Sequence, residues 1–205
     1  MRKLAVLAAL LSAAAVPNAA PAQVFVGVRA GYALPWGDVM TSSPVKDSFK
    51  SQIPLTLDLG LKLGPALAVG AYASYAVVQP SSSWRSDCDA TGSSCSAADI
   101  RLGVQVNLHA SNTETTELWG GVAVGYEQLR AKDSLGLFPE MTFKGYDATL
   151  QGGVDFLTSP SFRIGPFASV TVGQFNKVKA TSEADITNKE LHGWIQLGLR
   201  GMFAN

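Results

Sequence analysis

Ile53-Pro54-Leu55-Thr56-Leu57-Asp58-Leu59-Gly60-Leu61-Lys62-Leu63 sets an aliphatic side chain at every odd position and Pro, Thr, Asp, Gly or Lys at every even one. A helix would scatter these two sets around its surface, whereas an extended strand puts each on its own face. The same period returns in Ile100, Leu102, Val104, Val106 and Leu108, which alternate with Asp99, Arg101, Gly103, Gln105, Asn107 and His109. Read outward from these two stretches, the chain predicts eight strands near residues 24–34, 53–63, 67–78, 98–108, 117–128, 144–156, 162–173 and 192–203. Each approaches the roughly 9–11 tilted residues that cross a bilayer.

The connections alternate in length. Gly64-Pro65-Ala66, a modest Ala110–Thr116 segment and Thr158-Ser159-Pro160-Ser161 are short, while the links around 35–52, 79–97, 129–143 and 174–191 are long and polar. Short turns on one side and long loops on the other is the outer-membrane barrel pattern, with the short turns periplasmic.

The N-terminus names the compartment. Arg2 and Lys3 precede an apolar and small-residue run from Leu4 to Val16, followed by Pro17 and a stretch ending Ala20-Pro21-Ala22. This reads as a secretory signal peptide over residues 1–22, cleaved after Ala22, with the barrel domain over 23–205. The run is too short for the roughly 20 residues of a spanning helix. Without the first 22 of 205 residues, 183 remain; loss of Arg2 and Lys3 leaves 14 basic against 16 acidic residues, a net charge of −2. That balance gives no electrostatic footprint for nucleic acid. Cys88 and Cys95, with six residues between them in a Ser/Asp-rich segment, are expected to form a loop disulfide in an oxidising compartment. No later apolar run reaches helix-spanning length, and a spanning chain without such runs must close into a barrel, since lipid offers the backbone no hydrogen bonds.

Alternation also fits a soluble barrel with its apolar face inward. Two features favour apolar-out. The polar face is rich in small residues (Gly60, Gly70, Gly103, Gly121 and Gly125 among them), which a narrow lumen needs and a wet exterior does not. Aromatic residues also sort by depth. Tyr32, Tyr75, Tyr126 and Tyr146 fall on the apolar face at the extracellular strand ends, and Phe156, Phe162 and Phe203 on the same face at the other end. Two interfacial girdles follow.

The last strand carries Ile195, Leu197, Leu199, Gly201 and Phe203 at alternate positions. In this it resembles the small OmpA/OmpX-type outer-membrane barrels, whose final strand alternates up to an aromatic residue read by the outer-membrane assembly machinery. Ala204 and Asn205 follow Phe203, so the aromatic is not terminal here. The resemblance implies an all-β, eight-stranded, antiparallel up-and-down transmembrane barrel in the outer membrane of a Gram-negative bacterium. The partners expected are outer-membrane lipid and lipopolysaccharide, the assembly machinery and a surface partner at the loops; the barrel is expected to be a monomer.

Charges on the polar face form the most informative constellation: Arg29, Lys62, Arg101, Arg163 and Arg200 against Asp58, Asp99, Glu127, Asp147 and Asp155. In a narrow lumen these must pair, because an unpaired buried ion loses several kcal/mol of hydration. Adjacent strands make Arg29–Asp58 the expected central pair, with Arg200 near it. Gln105, Gln151, Gln196, Trp119, Trp194 and Phe167 also point inward, and an eight-stranded barrel is about wide enough for side chains to fill. Asp99, Glu127 and Asp147 outnumber Arg101 near the outer mouth and predict an acidic, solvated vestibule.

Catalytic signals are thin. His109-Ala110-Ser111-Asn112 is similar to the His-x-Ser-Asn stretch of the lipid A deacylases, in which His and Ser work with a Glu. The alternation points His109 into the periplasmic end of the lumen, away from lipid, which favours coincidence. His192, near the outer loops with Glu190 close by, reads as a solvent-facing residue. No metal-ligand spacing or phosphate-cradling motif is visible, and no cofactor is expected. In the 79–97 loop, Trp84 and Arg85 are of the residue types favoured as binding anchors. Leu135, Leu137, Phe138, Met141 and Phe143 make the 129–143 loop apolar, as if to fold over the mouth or touch lipopolysaccharide or a partner. The reading is a non-catalytic barrel with a plugged lumen, serving envelope integrity or surface interaction through its loops. The alternatives are a narrow channel or OmpW-like conduit for small hydrophobic molecules and, third, a lipid-modifying enzyme.

Overall fold

The computed structural model describes residues 22–40, 43–111, 115–137 and 140–204. The segment read from the sequence as a signal peptide, up to residue 21, and Phe138 lie outside them. Eight long strands run β1 Gln23–Met40, β2 Phe49–Leu63, β3 Leu67–Pro80, β4 Cys95–Ser111, β5 Thr116–Asp133, β6 Met141–Ser159, β7 Phe162–Lys179 and β8 His192–Ala204. Each pairs antiparallel with the next, and β8 returns to β1 from Phe25↔Ala204 to Gly37↔His192, which closes the barrel. The closed ladder leaves no long edge to satisfy. Short pieces decorate the long-loop end: the two-residue strand Ser43–Pro44, helix α1 Val45–Ser48, helix α2 Ser82–Ala90 and the strand Glu183–Asp185.

The apolar face is outside. Leu55, Leu57, Leu59, Val104, Leu150 and Leu197 are all more than half exposed and ring the wall. Such an apolar belt on a closed barrel is covered by lipid. Tyr32, Tyr75, Tyr126 and Tyr146 stand outward above it, with Tyr126 and Tyr146 edge to face at 5.8 Å. Phe156 and Phe203 stand outward at the other end, where Phe162 packs on Phe203 at 4.4 Å. Inside, the glycines make room for large neighbours. The Tyr72 ring and hydroxyl occupy the space that side chains at Gly103 and Gly125 would need.

The strands overrun the expected boundaries at the long-loop end by up to about six residues, because the alternation continues there with its sign reversed. Val78, Ala97, Leu129, Ala131, Phe143 and Phe175 are inward and buried, while Arg130, Lys132 and Lys177 across the wall are exposed. Above the membrane the outer face meets water, and the inner face packs under the loops. An apolar-out criterion therefore stops at the girdle although the ladder goes on. The long connection over 79–97 also contains α2, capped by Ser81 Oγ accepting from the Trp84 N–H. Cys88 on α2 is bonded to Cys95 at the start of β4, with Cα atoms 5.9 Å apart.

Candidate functional site

Three polar layers fill the lumen, and an apolar cup closes its outer end. In the central layer, Arg29 from β1 grips Asp58 from β2 through Nε to Oδ2 and Nη2 to Oδ1, each at 2.8 Å. Gln105 Nε2 donates to the same Asp58 Oδ1 at 2.7 Å. Arg29 Nη1 donates to Gln151 Oε1 at 2.5 Å, and Gln151 Nε2 donates onward to Gln105 and Asn107, both at 2.8 Å. Five side chains from four strands thus share one network across the bore.

The upper layer centres on Arg101. Its guanidinium lies 2.7 Å from Asp99, 2.9 Å from Glu127 and 3.9 Å from Asp147. The Tyr72 hydroxyl donates to Asp147 at 3.4 Å. His192 Nε2 meets Glu127 at 2.7 Å, and its ring stacks on Phe175 at 3.8 Å. Two readings change here. The expected acidic vestibule is no open mouth, since Asp99 and Glu127 are each only 1% exposed beneath the apolar cup. His192 is likewise a buried partner of Glu127 and not a surface residue. Both errors follow from placing the strand ends too low.

The lower layer centres on Glu117, which the sequence reading left out of the charge balance. Its carboxylate takes Lys62 at 3.0 Å, Arg163 at 3.2 Å and His109 Nδ1. The signal was available: Glu117 is in phase with inward Trp119. With it, the acids of the three layers number six against five Lys and Arg, and two histidines join them. Arg200 lies 3.7 Å from Asp155 and 4.1 Å over the Trp119 ring, whose Nε1 donates to Asp155 at 3.2 Å. Arg29 stands opposite Arg200 in the β1–β8 register, but the two guanidinium groups serve different carboxylates.

Little space is left. Between the central and upper layers, an internal void of about 30 Å³ touches Arg29, Thr56, Tyr72, Arg101 and Gln151, roughly the share of one liquid water. Above, Val39, Phe49, Val78, Leu129, Ala131, Phe143 and Phe175 form a buried apolar cluster. Trp84 of α2 leans onto it, edge-on to Phe49 at 5.8 Å, while Arg85 faces solvent, so these two loop residues do not share a patch. Phe143 belongs to the cluster, Met141 borders it, and Leu135 and Leu137 stand exposed on their hairpin.

His109 is buried in the lumen against Glu117, and the Ser111 backbone lies opposite that of Glu117. No group of three or more His, Cys, Asp or Glu among the described residues has the arrangement of a metal site.

No protein-family model matches this sequence, and no curated protein is similar to it. Solved structures are. A major outer membrane protein from Thermus thermophilus superposes with a TM-score of 0.53 at 13% identity, covering 90% of this chain and 100% of that one. Outer membrane protein AlkL, solved in DMPC bilayers, gives 0.50 at 12% identity, with 93% of each chain covered. The fold is that of an eight-stranded outer-membrane β-barrel. With its exposed apolar belt and closed ladder, the barrel resides in the outer membrane of a Gram-negative envelope.

Proposed function

We propose that this barrel is a non-catalytic, non-conducting protein of the outer membrane, whose extracellular end serves surface interaction or envelope integrity. The observation that supports it is the lumen itself. Three layers of paired charges and amides cross the bore, and the void between two of them holds about 30 Å³. Open pores use many more strands, roughly 16–18. What varies freely on such a scaffold is the loop end, here carrying α2, the Cys88–Cys95 bond and the exposed Leu135 and Leu137. Lipopolysaccharide and outer-leaflet lipid are the immediate neighbours of this surface.

The reading is tested in cells by replacing residues 82–94 with a short Gly-Ser linker. The variant barrel is expected to reach the membrane folded, as its heat-shifted gel mobility reports, yet to lose the surface binding or detergent resistance conferred by the intact chain. Full retention of both properties would contradict the assignment to the loops. The conduit reading for small hydrophobic molecules draws on the apolar cup, but the cup supplies only the outer end of a path.

A further inference from the structure

We infer that the extracellular cup is a binding site for a small, uncharged aromatic molecule, held above the polar layers and not passed through them. The inference rests on the plugged-lumen reading for its second half only. Val39, Phe49, Trp84, Ala131, Met141 and Phe143 border a cavity of about 410 Å³ at the mouth, within the roughly 300–1,000 Å³ of small-molecule sites. That volume suits one or two rings.

The chemistry of the walls selects the occupant. Phe49, Trp84 and Phe143 offer ring faces and edges, and the Met141 thioether is a soft, adaptable neighbour for an aromatic guest. Polar groups keep to the rim. Ser43, Ser48, Asp87 and Lys132 are all exposed to solvent. Asp133 also borders the cavity, but its Oδ2 already accepts from Ser93 Oγ at 3.3 Å and from the Leu137 N–H at 2.9 Å. An anion would lose its hydration against the apolar floor with no buried cation among the described residues of the lining, and the one buried carboxylate that a cation would seek, Asp133, is already engaged by these two donors.

The floor is closed. Phe143 packs on Phe175 at 5.5 Å, and Phe175 stacks on His192, which is tied to Glu127 in the Arg101 layer. A molecule going further would have to part both the aromatic stack and a buried ion cluster. One covalent feature keeps the cup in shape: the Cys88–Cys95 bond ties α2, and with it Trp84, to the start of β4.

The test is methionine-methyl NMR on the full mature barrel in lipid nanodiscs, titrated with naphthalene as the probe. Met141 borders the cup, and Met202 is buried with Phe25 and Ala68 at the periplasmic end, so the two methyls report on opposite ends of the lumen. The expected result is a saturating ring-current shift at Met141 with Met202 unmoved. Filling the cavity through Ala131→Trp, or the milder Ala131→Leu, should weaken the apparent affinity at least tenfold, while Arg130→Ala on the exposed outer wall leaves it unchanged. Folding of each variant is verified by heat-shifted mobility. A Met141 shift that never saturates, or one that is the same in the filled variants, would mean partition into lipid and would overturn the site. A saturating shift at Met202 would instead show passage through the bore and overturn the plugged lumen.

Discussion

Arg29 and Asp58 meet across the β1–β2 ladder through two parallel hydrogen bonds of 2.8 Å, and both side chains are under a tenth exposed. A bidentate guanidinium–carboxylate pair is the strongest of the common charge-assisted contacts, and here it sits at the level where hydration is least available. Removing one partner strands the other, a loss of about 3–5 kcal/mol for a buried pair. Arg29→Asp and Asp58→Arg singly are therefore expected to lower unfolding stability by that order. The double swap should recover much of it, since the amides of Gln105 and Gln151 can turn over to serve either polarity. Denaturant unfolding in detergent or lipid checks this; fully additive losses would mean that the pair does not interact.

Glu117 holds Lys62, Arg163 and His109 at the periplasmic end, and these neighbours differ in exposure. Glu117→Gln takes from Lys62, Arg163 and His109 the carboxylate on which they converge. A loss of about 3–5 kcal/mol is expected. Arg163 is a quarter exposed, so Arg163→Gln should cost about 1 kcal/mol or less. If the two variants unfold at the same denaturant concentration, the convergence on Glu117 is not what stabilises that end.

Outside the membrane, Lys144 and Lys177 both donate to Glu183, at 2.6 Å and 2.8 Å. These two ammonium groups, Lys144 first, push its carboxyl down to about 2. A depressed carboxylate stabilises fully above its unfolded value of 4.5, and the contribution fades as pH falls towards 2. The Ile186 N–H, bonded to Asn176 O at 2.9 Å just beyond this clamp, is the reporter. Glu183→Gln should speed its hydrogen exchange relative to the unsubstituted chain at pH 5–7, and the ratio should approach one near pH 2. A ratio constant across that range would exclude the clamp.

Cys88 and Cys95 close a short loop, worth about 2–3 kcal/mol on chain-entropy grounds, but the eight-stranded ladder does not depend on it. Reduction, or the paired change to Ser, is expected to leave heat-shifted mobility intact while loosening α2. Trp84 emission should shift to the red as its contact with Phe49 opens. Loss of the folded gel species would show instead that the bond is needed for the barrel.

Period-two alternation made the barrel legible because lipid and lumen impose opposite chemistries on adjacent residues; Leu55, Leu57 and Leu59 against Thr56, Asp58 and Gly60 leave no other regular solution. The same criterion hid the upper third. Phe143 and Phe175 are inward and apolar where an apolar-out rule expects polar residues, so their strands seemed to end early and their segments read as loops. His192 was misplaced with them. Glu117 was legible by phase with Trp119, yet it stands at a strand start, where phase is least secure. The pairing of Trp84 with Phe49 had no sequence signal at all, since it depends on how α2 folds across the mouth.

Single-channel current through the refolded mature barrel in a planar bilayer tests the plugged lumen most directly, with heat-shifted gel mobility establishing that the inserted protein is folded. The three polar layers and the apolar cup predict a flat trace at all moderate voltages. Discrete, reproducible current steps from the folded species would contradict the account and make the lumen a water path.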